Sequence, residues 1–264
     1  MRFSPEEVIL KAKEAGLSTI SITDHDSIGA LDRAIEHGKN IGIQVIPGIE
    51  FSADLHGKEV HILAYFIDHN DKAFLKYVMD LRHGRFGRFK EMVGKLNEMD
   101  CNIELESVVN GYPKHISFGR PHLAAALLKQ GFVKSYAEAF IKYIGDNRPA
   151  NVMKPNPPVN EVIKKISKYG GQSFVAHPGK YFRESLLTQL MEQGIDGIEV
   201  IHPSHSNENK KFLSEFATDN NLLICGGSDF HGTTQNEFKN LGEYFITEKE
   251  IKNMKRSLEQ FKFF

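Results

Sequence analysis

Cysteine is scarce. Cys101 and Cys225 are the only two in 264 residues, too few for a disulfide framework or a four-cysteine zinc site, and the chain reads as one that works in a reducing compartment. No apolar run approaches the ~20 residues a membrane-spanning helix needs, and the first residues carry no basic segment followed by an apolar stretch. The expected location is the cytoplasm. Charge of one sign is missing as well: Lys+Arg 33 against Asp+Glu 34 leaves a net charge of -1. Without a global excess there is no electrostatic footprint for nucleic acid, though a local basic patch stays open. Low-complexity segments and sequence-level repeats are also lacking. The length suits one large α/β barrel, alone or carrying a smaller inserted module.

What is present alternates helix and strand. Ser4-Pro5-Glu6-Glu7 supplies a serine cap, a proline fit for the first helical position and a glutamate three residues past the cap, as in a capping box. Val8, Ile9, Ala12 and Ala15 stripe this helix and Gly16 ends it. Strands are predicted over 19–22 and 43–46, a helix over 28–41, and 59–66 is rich in strand formers. Over 71–99 the period turns helical through Phe86, Phe89, Met92, Val93, Leu96 and Met99. Further helix signals follow after Pro121 and at Ser135-Tyr136-Ala137-Glu138, a second capping box, before Pro149, Pro155, Pro157 and Pro158 mark a boundary. The expected division is therefore a helical insertion over 71–149 within a barrel made of 1–70 and 150–264. Strands return at 172–176, 197–201, 222–225 and 244–246, with Thr247 and Glu250 boxing a last helix. Repeated helix-strand units predict parallel strands with helices outside and chemistry at the strands' C-terminal ends.

Those ends carry the candidate site. In Gly226-Gly227-Ser228-Asp229-Phe230-His231-Gly232 an apolar run stops at glycines and presents a carboxylate and an imidazole, donors that borderline divalent metals accept. Alone, the same stretch reads equally well as a turn with a hydrogen-bonded histidine. The pattern recurs at Thr23-Asp24-His25-Asp26, at His177-Pro178-Gly179 and at His202-Pro203-Ser204-His205. His25, His177, His202, Asp229 and His231 thus come from four strand ends onto one face. Were that face merely packed, several polar groups would need individual buried partners. Glu50 sits between apolar neighbours, and His61 lies near the start of the next strand. Arg82, Arg85 and Arg88 recur at three-residue steps, as a solvated face or toward an anion. Arg120 precedes a helix N-terminus, where backbone N–H groups and the dipole favour an anion, or is a loop arginine with no ligand.

The order Thr-Asp-His-Asp, Gly-Ile-Glu-Phe-Ser, Glu-Val-His-Ile-Leu, Ala-His-Pro and Ser-Asp-Phe-His resembles the PHP (polymerase and histidinol phosphatase) family of metal-dependent phosphoesterases over nearly the whole chain. It is similar in particular to the branch of stand-alone enzymes that hydrolyse nucleoside phosphates or trim short RNA from the 5′ end. The resemblance implies a distorted (β/α)7-type barrel with a helical insertion, and two or three divalent ions of manganese, zinc or iron. It maps His25, Glu50, His61, His177, Asp229 and His231 onto metal ligands and places Asp24 behind them, orienting a histidine. Arg120 and His122 match a Gly-Arg-Pro-His segment whose arginine is associated with the substrate phosphate. His202 and His205 match a histidine-bearing strand end, and one of them is expected to protonate the departing alkoxide. The implied reaction is attack of a metal-activated water on phosphorus without a covalent enzyme intermediate. The implied partner is a small phosphorylated substrate, a nucleotide or short RNA that Phe118, Arg82 and Arg85 would cover, with no membrane and no obligate protein partner.

The chain departs from the family at its start. Family members open with a strand bearing His-x-His and then Ser-Asp-Gly ahead of the stretch corresponding to Phe3-Ser4-Pro5-Glu6-Glu7, whereas this sequence starts at Met1-Arg2. Those ligands have no counterpart here, so the barrel is expected to be incomplete at the N-terminus through truncation and the chain poorly active until the strand is restored. A catalytically impaired metal-binding scaffold therefore remains an alternative, as do a histidinol-phosphate phosphatase and a metal-dependent amidohydrolase.

Overall fold

A computed structural model describes residues 3–113, 116–153, 156–179, 184–232 and 235–261. The chain divides into two compact units, one of residues Met1–Phe74 and Asn156–Phe264, the other of Leu75–Pro155.

In the first unit, helix α1 (Pro5–Glu14) carries the capping box: the Ser4 hydroxyl accepts the Glu7 N–H at 3.3 Å and the Glu7 carboxylate accepts the Ser4 N–H at 2.7 Å. Strand β1 (Thr19–Ile22) leads to helix α2 (Leu31–Ile41), which starts three residues later than the apolar pattern from Ile28 indicates. Val8, Ile9 and Ala12 of α1 pack against Leu31 and Ala34 of α2, and Arg33 donates twice to Glu6 at 2.7 Å. Strand β2 (Gln44–Leu55) is continuous through Pro47, joining what the sequence presents as two segments. Strand β3 (Lys58–Tyr65) follows after two residues.

Six strands, with β4 (Gln172–Val175), β5 (Gly197–Ile201) and β6 (Leu223–Gly226), form one curled sheet in the order β1-β2-β3-β4-β5-β6. The expectation of uniformly parallel strands is corrected at β3, which runs antiparallel to both β2 and β4, while the β1/β2, β4/β5 and β5/β6 pairs are parallel. The cause is local. His56 and Gly57 both take positive φ, 53° and 80°, the conformation that closes a two-residue hairpin with the right twist. With only β3 reversed, the C-terminal ends of the other five strands still lie on one edge of the sheet.

Helices α7 (Val159–Lys168), α8 (Glu184–Glu192) and α9 (Asn207–Asp219) precede β4, β5 and β6 in turn. Phe51 and Phe74, both fully buried, meet edge to face at 6.4 Å, and Phe74 also tilts against Tyr169 at 5.0 Å. These contacts keep the first residues of α3 (Lys72–Asn97) with the sheet unit as far as Phe74. The strand expected at 244–246 does not form. Tyr244 and Glu243 N–H groups turn back to the Asn240 carbonyl, and Phe245 is exposed while Ile246 packs beside Leu63, Phe174 and Met254. The final helix α11 (Glu248–Phe261) starts after Thr247, whose N–H donates to Glu250 at 2.8 Å.

The second unit is helical among its described residues. Phe89, Met92, Val93 and Leu96 of α3 pack with Leu123, Ala124 and Leu127 of α5 (Arg120–Lys129). At Ser135 the hydroxyl accepts the Glu138 N–H at 3.1 Å, but the Glu138 carboxylate closes on Lys134 N–H at 2.6 Å rather than on Ser135. No helix among the described residues is long and apolar enough to cross a membrane.

Candidate metal centre

Glu50 is the hub. On β2, Ile49 and Phe51 point into the apolar layer, so by alternation Glu50 faces the opposite side, where it is 5 % exposed. A lone carboxylate would not survive ionised there. Three imidazoles surround it: His25 Nδ1 at 3.6 Å, His61 Nδ1 at 3.0 Å and His177 Nε2 at 3.1 Å. His25 reaches it through an isolated parallel bridge that continues the β1/β2 pairing. His61 sits on the reversed strand, directly opposite Ser52. His177 lies just past β4, with Nε2 only 3.2 Å from His61 Nδ1. Burial penalises the Glu50 charge, but His25, His177 and His61 outweigh it and hold the carboxyl well below its usual range. Burial likewise disfavours charge on His61, yet hydrogen bonds to Glu50 and Glu59 raise it to about 10. His177 is raised by Glu50 against the same burial penalty.

A second group adjoins the first, the His177 and His202 rings being 5.5 Å apart. The Ser204 N–H donates to His202 Nδ1 at 3.1 Å, so the proton of the neutral ring sits on Nε2. That nitrogen is buried with no hydrogen-bond partner among the described residues and lies 3.6 Å from Asp229 Oδ2. His231 places Nδ1 2.8 Å from the Asp229 carbonyl oxygen, a contact that fixes the tautomer and leaves Nε2 with its lone pair outward. Its backbone N–H donates to Glu237 at 3.0 Å. Burial lifts Asp24 to about 6, with His231 opposing the shift and Glu50 adding to it.

His205 stands apart in its bonding. Gly179 N–H donates to its Nε2 at 3.0 Å and its Nδ1 lies 2.9 Å from the Val200 carbonyl, so both ring nitrogens are occupied by main chain. Burial pushes its pKa down. Arg120 and His122 lie in the second unit, at the first turn of α5. Arg120 Nη1 donates to Asp146 Oδ1 at 2.6 Å, and His122 Nδ1 accepts the Gly119 N–H at 3.1 Å. Arg85 lies beside Gly119, its Nη2 3.0 Å from where a Cβ would stand.

Two carboxylates escaped the sequence reading. Asp26, fully buried, accepts the Ser52 N–H at 3.0 Å and ties the loop after β1 to β2. Glu199, 5 % exposed on β5, accepts the His177 N–H at 2.6 Å. Burial lifts Glu199 to about 7, with His202 and His177 opposing. The signal that marks Glu50, an acid between apolar strand residues, is present at Ile198-Glu199-Val200 too.

The donor set fits a divalent cation. Ligand atoms of His25, Glu50 and His61 all lie within 4.8 Å of one another, and mixed imidazole and carboxylate donors suit zinc, manganese or iron. A curled α/β sheet whose strand ends present clustered histidines and acids defines a protein of the metal-dependent hydrolase class. The sequence pattern of the PHP domain matches residues 2–169, well over half of the chain, and the protein belongs to that family. His177, His202, His205, Asp229 and His231 lie beyond the matched stretch. The chain is 29% identical over 239 residues to a 5′-3′ exoribonuclease of Haemophilus influenzae, covering 86% of this chain and 84% of the relative. It is 28% identical over 233 residues to a 3′,5′-nucleoside bisphosphate phosphatase of Chromobacterium violaceum, covering 86% and 82%. A crystal structure of a candidate metal-dependent phosphoesterase from Bifidobacterium adolescentis superposes with a TM-score of 0.87 at 28% identity, covering 95% of this chain and 90% of the other.

Proposed function

We propose that the protein is a metal-dependent phosphoesterase that hydrolyses phosphate esters of nucleotides, either nucleoside mono- or 3′,5′-bisphosphates, or short RNA 5′ ends. The observation that carries this reading is the convergence of Glu50 with His25, His61 and His177, three imidazoles around one buried carboxylate. Family membership and the two relatives' activities support the substrate class. On this reading 71–149 is an inserted domain and the sheet belongs to a distorted (β/α)7-type barrel. We assign metal ligation to His25, Glu50, His61, His177, Asp229 and His231, with Asp24 biasing the ring of His231. Bound divalent ions would supply an activated water and neutralise charge on the leaving oxygen. His202 is the assigned proton donor: its Nε2–H is buried 3.6 Å from Asp229 with no hydrogen-bond acceptor among the described residues. His205, held by main chain on both nitrogens, is assigned to positioning instead. Arg120 and His122 are assigned to the substrate phosphate, supported by the Arg120 guanidinium already gripping a carboxylate.

The test is metal analysis of protein purified without chelator, together with phosphate release from nucleoside monophosphates and 3′,5′-bisphosphates. Stoichiometric transition metal and turnover are expected, and Asp229→Ala should lose one metal equivalent along with activity. Protein that carries no such metal, and that added manganese neither stabilises nor activates, would overturn the assignment.

A further inference from the structure

His177 occupies a backbone conformation that its sequence does not favour. Its φ is 28°, a left-handed value uncommon for a side chain with a Cβ, and Pro178 follows, which further restricts the residue before it. Such a conformation persists only where surrounding groups impose it. Two groups do so here, and both come from the neighbouring strand and its end. Glu199 Oε2 accepts the His177 N–H at 2.6 Å, and His205 Nε2 accepts the Gly179 N–H at 3.0 Å, so the His177-Pro178-Gly179 turn is gripped at its first and third residues. Parallel pairing of Phe174 with Gly197 and of Val175 with Ile198 sets the register that brings Glu199 beneath the turn. Gly197 permits that close approach, since a Cβ there would run into the Phe174 ring of β4.

We infer that Glu199 is a positioning residue that holds the His177 main chain in its strained turn and thereby aims the imidazole at Glu50 and His61. The short bond from the Glu199 carboxylate constrains the Cα of His177, and the ring inherits that constraint at 3.1 Å from Glu50 Oε1 and 3.2 Å from His61 Nδ1. The role needs an acceptor oxygen at the right reach and not a negative charge as such. This inference rests on the assignment of His177 as a metal ligand only for its consequence for binding, whereas the clamp on the turn is independent of it.

Three substitutions separate reach from charge. Glu199→Gln keeps an oxygen at the same reach, Glu199→Asp keeps the charge on a side chain one methylene short, and Glu199→Leu removes the acceptor at similar volume. Amide hydrogen exchange at His177, followed residue by residue by NMR on the full chain with metal removed, reads the clamp directly. Zinc affinity by titration reads its consequence. The expectation is parent-like exchange for Glu199→Gln and exchange at His177 about tenfold or more faster for the Asp and Leu variants. Zinc affinity should fall by about tenfold or more in the same two variants and hold in Glu199→Gln. If Glu199→Leu fails to fold, the Asp and Gln pair still decides. Unchanged His177 exchange in the Asp variant overturns the inference, and so does Glu199→Gln behaving like Glu199→Asp. If the parent chain binds no zinc, the metal assignment fails, and the exchange series judges the clamp alone.

Discussion

Residue by residue, the centre is a set of groups made tolerable by one another. Glu50 could not remain ionised at 5 % exposure without the three imidazoles, and His61 could not be charged without Glu50 and Glu59. Glu50→Gln should therefore cost more than one ligand, since it removes the one carboxylate that His25, His61 and His177 share. The expected outcome is a loss of about tenfold or more in zinc affinity, with a lowered His61 pKa visible in its NMR titration. At Arg120 the expectation concerns geometry. Arg120→Lys keeps the charge but loses the planar fork, and should lower kcat/KM for phosphate esters by about tenfold while leaving metal content unchanged. Equal kinetics for the two proteins on every phosphorylated substrate would remove Arg120 from the substrate site.

Elements matter because they decide which residues meet. The His56-Gly57 turn reverses β3 and so brings His61 up against Glu50 from across the sheet instead of from a parallel neighbour. Gly57 has a φ of 80° with nothing within 4 Å of a would-be Cβ, so Gly57→Ala should cost only the backbone term, about 1 kcal/mol. Gly197 is the contrasting case. A side chain there meets the Phe174 ring and the Leu223 carbonyl oxygen, neither of which moves without opening the β4-β5-β6 pairing. Gly197→Val should destabilise severely, by about 3 kcal/mol or more. Denaturant unfolding of the two variants beside the parent measures both, and a Gly197→Val protein as stable as Gly57→Ala would show that the sheet yields there.

The ionisations sum to a pH dependence of the whole molecule. With metal removed, Glu50, held well below its ordinary 4.5, contributes stability present above that value and lost in acid. Asp24 and Glu199, raised to about 6 and about 7, favour the fold when protonated and cost stability as pH climbs through those values. His61, raised from 6.5 to about 10, stabilises fully below 6.5 and loses that contribution as pH approaches 10. The four sum to a metal-free protein whose stability is greatest at about pH 4, where the gain from Glu50 meets the losses from Asp24 and Glu199, and declines toward alkali. A cation must displace the His61 proton, so its stabilisation grows with pH, reaching about 2.7 kcal/mol at a hundredfold excess over Kd. Thermal unfolding with and without chelator between pH 5 and 9 checks this. The chelated protein should lose stability across the range and the metal-loaded protein much less, and parallel curves would show that the histidine cluster does not compete for protons and metal.

Much of this was legible in one dimension because it depends on local chemistry. Ser4 with Glu7 and the strand-to-loop punctuation at His25, His177, His202 and Asp229 are short-range patterns, and a helix cap or a strand end needs only its neighbours. Legibility failed where the cause lies elsewhere in the chain. The 244–246 segment has strand composition, yet its turn back to Asn240 leaves it without a ladder. His205 and His202 look alike in sequence, and only the fold surrounds His205 with the Gly179 N–H and the Val200 carbonyl while leaving His202 Nε2 facing Asp229. Glu199 carried the same apolar flanks as Glu50, but its meaning depends on the β4/β5 register that sets it under His177. Which side chains stand at the ends of strands follows from period and punctuation, which are properties of neighbours along the chain. Which of them meet follows from the fold, because strand direction, register and the partner of each buried polar atom are settled between residues as distant as Glu50 and His177.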